Sequence, residues 1–467
     1  MKLFIKRMLL TLGALMGLLI TFHLVENWRG RRAWETWKAS QEASGFRYDV
    51  MNYEPRQLPD ADNFAKAPIV VEITSPKGSS AGPAWLAIRS VFTNPPTAGN
   101  FRLGQSADYI AFSKELDGQN LETVTQPFDS KLDQLAEAAR RPGCRFMADY
   151  ADIEGFPPLL NLRAVARALR LRALARLQAG KSEAALEDVL TGLKLIQNFK
   201  GEPHLISQLL RLAYVGIFLQ PVWEGLQAHA WNEAQLVRLE AAFAPIDTIA
   251  SMDLGWGFER AGLALAWTHY AEEARTTFLG QFDPTVAPIH KVRNAFRWAF
   301  IPKGWIYQNL VSLDREFVAH AGIILDQKGH LVHADKQKMA EARFSTQRNT
   351  PYNWIARMTL PALLAQNARA ARAQSDLDMA RMACALERHR LALGAYPDDL
   401  EALGPFLAQV PHDVINGTPL HYRRQGDGFR LYSVGWNGTD EGGQVAPVDK
   451  DGSYDPRQGD WVWSTGK

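Results

Sequence analysis

The stretch from Asn161 to Phe199, NLRAVARALRLRALARLQAGKSEAALEDVLTGLKLIQNF, decides the fold class. Its apolar residues recur every three or four positions, which is the spacing of one face of an α-helix. They form two stripes, with Leu162, Val165, Ala166, Leu169 and Ala173 in the first and Ala185, Leu186, Val189 and Leu193 in the second. Gly180 breaks the pattern and Ser182 restarts it. The stretch therefore predicts two helices joined by a tight turn.

Within this stretch, the segment ALARLQAGKSEAALEDVLTGLKL resembles one tetratricopeptide-type helical hairpin, with small residues before a glycine turn and an alanine-rich second helix. No second copy follows at a fixed period, whereas arrays of such repeats need about three copies to be stable. The hairpin is therefore predicted to belong to a larger α-helical domain. Further helices are predicted around 204–228, 232–277 and 305–325, where leucine, alanine and tryptophan supply the apolar faces.

Length and composition are those of a folded globular protein of two or three domains, with 467 residues of which 46% are hydrophobic and 22% charged. The 52 basic and 50 acidic residues leave a net charge of +2, so no basic field for nucleic acid and no acidic tail is predicted. Arg163, Arg167 and Arg170 share one helical face, which is predicted to be exposed to solvent. The two cysteines, Cys144 and Cys384, are too few for a disulfide framework and are predicted to be buried, with their pairing left open.

The N-terminal sequence contains a run of 18 residues without a charge, from Met8 to Val25. As a helix this run would be about 27 Å long, which is close to the hydrocarbon thickness of a bilayer. Basic residues come before the run and tryptophans after it, namely Lys2, Lys6 and Arg7 on one side and Trp28, Trp34 and Trp37 on the other. The run is therefore predicted to be a transmembrane helix, with the three tryptophans as its interfacial belt.

A secretory signal peptide is the alternative interpretation of this run, but it would have a shorter apolar core followed by a small-x-small cleavage site. The following FHLVENW offers no such site, so an uncleaved signal-anchor is predicted. The tail before it is very short and the body after it is large, which favours a cytoplasmic tail and an extracytoplasmic body, although Arg29, Arg31 and Arg32 add positive charge on the far side. The expected location is the inner (cell) membrane of a bacterium, with a single span and the bulk of the chain in the periplasm.

Gly13 and Gly17 lie four residues apart within the predicted span. Such a G-x-x-x-G pair lets the backbones of two membrane helices approach closely, so it indicates a homodimer through the anchor. Glycine is also frequent in membrane helices that do not pair, and that alternative stays open.

The segment after the anchor is mixed in character. GRRAWETWKASQEASG predicts a short helix that leaves the membrane and ends at Gly45, and PIVVEIT predicts a strand. The turn cluster that follows contains G-x-S-x-G, from Gly78 to Gly82, with Ser80 in the place of a nucleophile. A nucleophile elbow needs a strand, a sharp turn and a helix in a β-α-β chain, whereas Pro83 follows at once and the later sequence is helical. A serine hydrolase is therefore kept only as an alternative.

The C-terminal sequence changes from helical to alternating patterns. ARAQSDLDMARMACALERHRLALG predicts a helix that ends at Gly394. PLHYRRQGDGFRLYSVG contains two short alternating runs around a Gly-Asp-Gly turn and predicts a β-hairpin, to which GDWVW would add a strand.

The order of a helix, GAYP, LEAL, VPHD, GTPLHY and FRLYSVGWNG resembles the C-terminal globular part of the major pseudopilin of type II secretion, over about 80 residues. A pseudopilin has its hydrophobic helix and a peptidase site directly before this unit, whereas here the anchor lies hundreds of residues upstream and lacks that site. The resemblance therefore implies a pseudopilin-like α+β module at the end of another protein. The layout as a whole, including GRRAWE and DADNFAKAP, is similar to that of uncharacterised membrane-anchored bacterial proteins, which implies an architecture and no activity.

In that pseudopilin family the loop after the last hairpin binds calcium. By position, the resemblance implies that the backbone carbonyl of Val434 and the side chains of Asn437 and Asp460 are ligands, with Asp440 as a further contributor. Asn437 stands where the family has an aspartate, and only Asp460 remains of a closing acidic pair, so a polar turn without metal is the alternative. The insert between them contains acidic residues at ligand-like spacing but no glutamate that would close an EF-hand, namely Asp449, Asp451 and Asp455.

Other metal and nucleotide motifs are weak or missing in the sequence. His320, His330 and His333 fall in HAGIILDQKGHLVHADK, and two histidines three apart can bind zinc, but no carboxylate is placed with them. A polar loop is therefore the favoured interpretation. The sequence contains no H-E-x-x-H, no phosphate loop and no dinucleotide fingerprint.

Together these patterns predict a mainly α-helical protein with one transmembrane helix and a small α+β module. The predicted divisions are a cytoplasmic tail at 1–7, the anchor at 8–25, a juxtamembrane segment at 26–127, a helical domain at 128–365 and the pseudopilin-like module at 366–467. The expected function is that of an extracytoplasmic scaffold or partner-binding protein without catalytic activity. An accessory of a pilus-like secretion machine is the first alternative, and calcium is the one expected cofactor.

Overall fold

The computed structural model describes residues 2–74, 122, 125–152, 159–272, 301–446, 455 and 457–466. Over these residues the chain is mainly helical, with small sheets of two and three strands. The helices are α1 (Lys2–Ala43), α2 (Pro68–Thr74), α3 (Asp129–Ala139), α4 (Leu160–Gln178), α5 (Ser182–Asn198), α6 (Leu205–Gln227), α7 (Glu233–Phe243), α8 (Thr248–Glu272), α9 (Lys303–Ile324), α10 (Ala334–Thr346) and α11 (Trp354–Leu393). The strands are β1 (Leu325–Asp326), β2 (Leu331–Val332), β3 (His421–Gln425), β4 (Gly428–Ser433) and β5 (Trp461–Thr465).

The chain forms two compact units, and each is discontinuous in sequence. Unit 1 comprises Met1–Asn52, Gly257–Ala321 and Ala340–Leu364. Unit 2 comprises Tyr53–Trp256, Gly322–Met339 and Ala365–Lys467, and it contains both the helical hairpin and the C-terminal sheet.

Helix α1 is one continuous helix with two different halves. Its apolar side chains from Leu3 to Val25 are exposed, and no part of its most apolar window is buried, which makes it long and apolar enough to cross a membrane. From Glu26 onward one face is buried in unit 1, at Glu26, Gly30 and Trp34, which are four residues apart. The sequence predicted a separate short helix after the span, but the structure shows no break before Ala43.

The prediction of a three-tryptophan interfacial belt is wrong for Trp34 and Trp37. Trp34 is 5% exposed and meets the ring of Tyr48 edge to face at 5.4 Å. The Nε1–H of Trp37 donates to Asp314 Oδ2 at 2.7 Å. Both residues lie one or more helical turns beyond the interface, about 14 Å or more past Val25 along the axis, on the face that packs in unit 1. Only Trp28, which is 63% exposed, has the place that the belt prediction requires.

The predicted helical hairpin is confirmed by α4 and α5 in unit 2. Every residue of the two predicted apolar stripes is at most 2% exposed. Gly180 turns the chain with a φ of +71°, and the Lys181 N–H donates to the Arg176 carbonyl at 2.8 Å, which ends α4. Helix α6 packs on both helices, and a Cβ at Gly192 would lie 2.2 Å from the ring of Phe218. The hairpin is therefore the centre of a three-helix core.

Helix α6 is also apolar enough to cross a membrane by length and composition. However, 78% of its apolar window is buried inside unit 2, which is typical of a core helix. The helix predicted at 232–277 is instead two helices, α7 and α8, that are separated by Ala244–Asp247. Pro245 accounts for this break, because proline has no backbone N–H with which to continue the helix.

The strand predicted for PIVVEIT is wrong, since these residues form helix α2. Ile69, Val70 and Ile73 are buried, and their spacing of one and four fits a helix. The β-branched composition favours a strand, but packing against α3 and α4 overrides that preference. The Lys131 ammonium also lies 2.6 Å from a Glu72 carboxylate oxygen, which ties α2 to α3.

The prediction of an exposed arginine face on α4 is wrong in part. Arg163 is exposed, whereas Arg170 is only 5% exposed. Two residues further along the helix, Arg172 is 3% exposed and forms an ion pair with Asp188 of α5 at 2.7 Å. Arg176 contacts the other oxygen of the same carboxylate at 2.7 Å. A buried ionic network thus joins the two helices of the hairpin.

Both cysteines are buried, as predicted, and both are free. Cys144 is 4% exposed and Cys384 is fully buried. Burial raises the pKa of each thiol, so neither is disposed to form a reactive thiolate.

The C-terminal part of unit 2 has the predicted helix, hairpin and added strand. Helix α11 ends at Leu393, and Gly394 follows with a φ of +83°. Strands β3, β4 and β5 form an antiparallel sheet in that order, with Tyr422 opposite Leu431 and Leu431 opposite Trp463. The sheet is not an isolated module, because the Trp223 Nε1–H of α6 donates to the Ser464 carbonyl at 2.9 Å.

Candidate functional site

The predicted calcium loop follows β4, and its first residue is held by a carboxylate that the sequence analysis missed. Asp413 is fully buried, and its Oδ2 accepts a hydrogen bond from the Val434 N–H at 2.9 Å. Its Oδ1 accepts from the Ser433 hydroxyl and from the Ile415 N–H, both at 2.9 Å. With three donors satisfied, Asp413 fixes the end of β4 and the position of Val434. No spacing rule links residues 413 and 434, so the pairing could not be read from the sequence.

At the other end of the loop, Asp460 is 2% exposed. Its Oδ2 accepts hydrogen bonds from the backbone N–H of Gly443 at 2.7 Å and of Glu441 at 3.1 Å. Its own N–H donates to the Gln444 carbonyl at 2.8 Å. The other carboxylate oxygen, Oδ1, is buried and has no hydrogen-bond partner in the described part of the chain. Asp460 therefore closes the loop through Oδ2, and Oδ1 is the oxygen that could bind a cation.

Glu441 is the second acidic residue of the site, and sequence reasoning missed it. Its Oε1 accepts a hydrogen bond from the Asn437 Nδ2 at 2.6 Å. Its Oε2 is buried and, among the described residues, makes no hydrogen bond. Glu441 thus connects two of the predicted ligands, Asn437 and Asp460. The signal was in the sequence, since an acidic residue directly follows Asp440, but the resemblance assigned it no role.

The remaining predicted ligand, Asp440, points to a different neighbour. Its Oδ1 accepts the Gly442 N–H at 2.8 Å, and its Oδ2 lies 3.7 Å from the His421 Nδ1. These contacts lower the pKa of Asp440, with the Gly442 N–H as the larger cause. Asp440 is therefore an ionised side chain at the rim, while Asn437, Glu441 and Asp460 form the inner group.

Burial disfavours the ionised form of Asp460 in the inner group. Desolvation raises the pKa of Asp460 to about 6, and the adjacent Glu441 carboxylate adds to that rise, while the two backbone N–H groups oppose it. In the described part of the chain Asp460 Oδ1 and Glu441 Oε2 are buried without a partner, and the nearness of the two carboxyl groups favours the protonated form of Asp460. A bound cation would remove both penalties at once, because it supplies the missing partner and the opposite charge.

A lysine ammonium already lies beside the loop. Lys338 of α10 donates through Nζ to the backbone carbonyl of Asn437 at 3.0 Å. The Asn437 Oδ1 accepts the Thr439 N–H at 2.9 Å, so that side chain is positioned by the loop itself. The Lys338 charge would compete with a metal ion for this carbonyl, which limits the oxygen ligands that Asn437 can provide.

No group of three or more His, Cys, Asp and Glu side chains in the described residues is arranged to hold a metal ion. A cation here would therefore rely on two carboxylates together with amide and backbone oxygens, which is a donor set that calcium accepts. Of the acidic insert, Asp455 is engaged with Arg457 at 3.0 Å, and Asp449 and Asp451 lie outside the described residues. Ser80, the nucleophile of the hydrolase alternative, also lies outside them.

The histidines of the β1–β2 turn have polar partners of their own. His330 has a positive φ of 51°, and its Nε2 lies 3.5 Å from Asp247 Oδ1. The Nε2 of His412 lies 3.3 Å from the His330 carbonyl. Sequence reasoning looked for a carboxylate nearby in the chain and missed Asp247, which directly precedes α8. These contacts fit a structural polar cluster around the turn.

Comparison of the chain with protein-family models, with curated proteins and with solved structures finds no significant match. The assignment of this site therefore rests on its geometry alone.

Proposed function

We propose that this chain is a single-pass, membrane-anchored protein whose body lies outside the cytoplasm and acts as a scaffold or partner-binding protein without catalytic activity. One observation supports the membrane-anchored part of the proposal. Helix α1 presents an apolar surface over its first half with none of its apolar window buried, and it continues without a break into unit 1. A helix that is hydrophobic on all sides and exposed is unstable in water and stable in a bilayer.

The first alternative is an accessory of a pilus-like secretion machine. It is favoured by the C-terminal helix, hairpin and third strand, which occur in the order that the pseudopilin resemblance implies. Crosslinking in membranes followed by identification of the attached proteins separates the two functions. Capture of secretion-machine subunits supports the alternative, and capture of other envelope proteins supports a general scaffold.

We further propose that the loop closed by Asp460 binds calcium. The buried Asp460 Oδ1 and Glu441 Oε2, each without a partner in the described residues, support this assignment. The cation would join the loop end to the segment after β4, and it would order the α+β part of unit 2 for partner binding.

A homodimer through the anchor remains part of the proposal. A Cβ built at Gly13 or at Gly17 has no heavy atom within 4 Å, so this face of α1 is open for a second helix. Close helix packing at such pairs is driven by van der Waals contact between backbones.

Retention of the N-terminal helix in the mature protein is the first expected result. Membranes washed with alkaline carbonate should keep the full chain in the pellet, and intact-mass analysis should show residues 1–25 still present, because the span is long enough to cross the bilayer. A chain that lacks residues 1–25 is the control and should move to the soluble fraction. A mature start between Val25 and Arg32 would contradict the anchored form of the protein.

A further inference from the structure

The boundary between the apolar half of α1 and unit 1 is unusually abrupt. Val25, the last residue of the apolar run, is 49% exposed, and the next residue, Glu26, is 4% exposed. The helix continues through this point to Ala43 without a linker. If the apolar half lies in a bilayer, the packed part of unit 1 must begin within one residue of the hydrocarbon edge.

At this boundary, Glu26 fixes the position of α1 through hydrogen bonds. Its Oε2 accepts hydrogen bonds from the Trp305 Nε1–H at 3.0 Å and from the Tyr352 hydroxyl at 3.1 Å. Its Oε1 accepts from Arg29 at 2.8 Å. A buried carboxylate with three donors is strongly localised, because losing any of them leaves a charge or a donor unsatisfied. The Glu26 contacts therefore fix α1 to α9 and to the segment before α11.

The backbones of α1 and α9 are also in direct contact at this level. A Cβ on Gly304 would lie 1.8 Å from the Glu26 carbonyl oxygen, and one on Gly30 would lie 2.1 Å from the Gly304 carbonyl oxygen. The Asn27 Oδ1 accepts the Gly304 N–H at 3.0 Å. Only glycine at both positions allows this approach, so the first turn of α9 is held against the start of the buried half of α1.

The side chains around this contact are those of a membrane interface. Phe22 of the apolar half meets Trp305 edge to face at 6.2 Å, and Trp305 meets Tyr352 in the same way at 6.1 Å. Trp28 is exposed, and the Arg32 guanidinium lies over its ring at 5.7 Å. Tryptophan and tyrosine favour the headgroup level, and arginine favours phosphate. Along α1, Trp28 lies about 5 Å beyond Val25, within the headgroup layer.

We infer that unit 1 docks directly on the bilayer surface, with Trp28, Arg29, Arg32, Trp305 and Tyr352 forming a collar at the headgroup level in which Arg29 and Arg32 contact the phosphates of phospholipids. This inference rests on the proposed anchoring of α1. The body of unit 1 is then held at a fixed height by the Glu26 contacts, and it does not extend from the membrane on a flexible stalk.

The test places a fluorophore at two exposed positions of unit 1 in the full chain, reconstituted in phospholipid nanodiscs. Pro351→Cys is adjacent to Tyr352, and Ala43→Cys is about 25 Å from Glu26 along α1. Both native cysteines are buried, which allows a single introduced cysteine to be labelled. Lipids with a spin label on the headgroup should quench the fluorophore strongly at position 351 and weakly at position 43.

Two further variants separate the docking from the anchoring. Glu26→Leu should reduce the quenching at position 351 toward the level at position 43, because it removes the acceptor for Trp305 and Tyr352. Glu35→Leu, on the same helix but 62% exposed and in an ion pair with Arg31, is the matched control and should leave the quenching unchanged. Weak quenching at position 351 in the parent chain, in discs that still carry the protein, would overturn the docking and leave the anchoring intact. Failure of the protein to stay with the discs would overturn the anchoring itself.

Discussion

Millimolar calcium is expected to raise the melting temperature of the full chain in detergent relative to chelator, and Asp460→Asn is expected to remove that difference. The Asp460 Oδ1 and Glu441 Oε2 are buried without partners in the described residues, so a bound cation would supply a partner to both. Binding to the folded state alone adds RT ln(1 + [L]/Kd), which is about 2.7 kcal/mol at a hundredfold excess over Kd. The full chain is required, because the sheet that carries the loop is bonded to α6.

The same carboxylate gives this effect a pH dependence. The pKa of Asp460 is raised to about 6, mainly by burial, so the stability that its protonated form contributes is present at low pH and is lost as the pH rises through about 6. Calcium needs the ionised form, and its stabilising effect should therefore shrink as the pH falls through that range. In chelator at neutral pH, Asp460→Asn should be at least as stable as the parent, because it removes the repulsion with Glu441.

Asp455→Asn is the matched control for this experiment. Asp455 lies in the same loop region, but its carboxylate is already paired with the Arg457 guanidinium at 3.0 Å. The variant should keep the calcium-dependent rise, and Glu441→Gln should lose most of it. Equal melting temperatures of the parent in calcium and in chelator would leave the loop as an ordinary polar turn.

Among the variants proposed here, Arg172→Met is expected to lower the free energy of unfolding the most. The Arg172 and Asp188 side chains are both 3% exposed, and the substitution leaves the Asp188 carboxylate with Arg176 as its remaining cation in the network. Removing one partner of a buried ion pair costs about 3–5 kcal/mol. Burial already raises the pKa of Asp188, and the loss of Arg172 removes an interaction that opposes this rise. Thermal unfolding monitored by circular dichroism should show the fall.

Two comparison variants identify the cause of that loss. Arg172→Met combined with Asp188→Leu should recover much of the stability, since an apolar pair of similar volume can replace a buried ion pair. Arg140→Met removes an exposed pair with Glu137 and should change the unfolding free energy by about 1 kcal/mol or less. A loss for Arg172→Met no larger than for Arg140→Met would show that the network does not stabilise the hairpin.

The features that the sequence predicted are those with a strong local period. The stripes around Leu169 and Val189 have helical spacing, and the runs on either side of Gly426 alternate, so each pattern permits one kind of element. PIVVEIT was predicted wrongly because seven residues are too few for the period to outweigh β-branched composition, and its burial against neighbouring helices decides its structure.

The candidate site was predictable only in part, for a different reason. Asp460 was singled out through the resemblance to the pseudopilin loop, but its partner Glu441 is 19 positions away and no period connects them. Glu26 was missed as well, since a charge at the end of a membrane span normally needs no partner, and Trp305 and Tyr352 are distant in the chain. Buried polar contacts between distant segments depend on the tertiary fold, which a single sequence does not reveal.

Protease accessibility in intact spheroplasts tests directly whether α1 anchors a body that lies outside the cytoplasm. Added proteinase K should digest the full chain and leave a membrane-bound fragment that contains α1, while a cytoplasmic marker protein stays intact. We expect this result because the proposed topology joins the body to an uncleaved span whose short tail lies inside. Full-length protein that survives until the spheroplasts are lysed would contradict it.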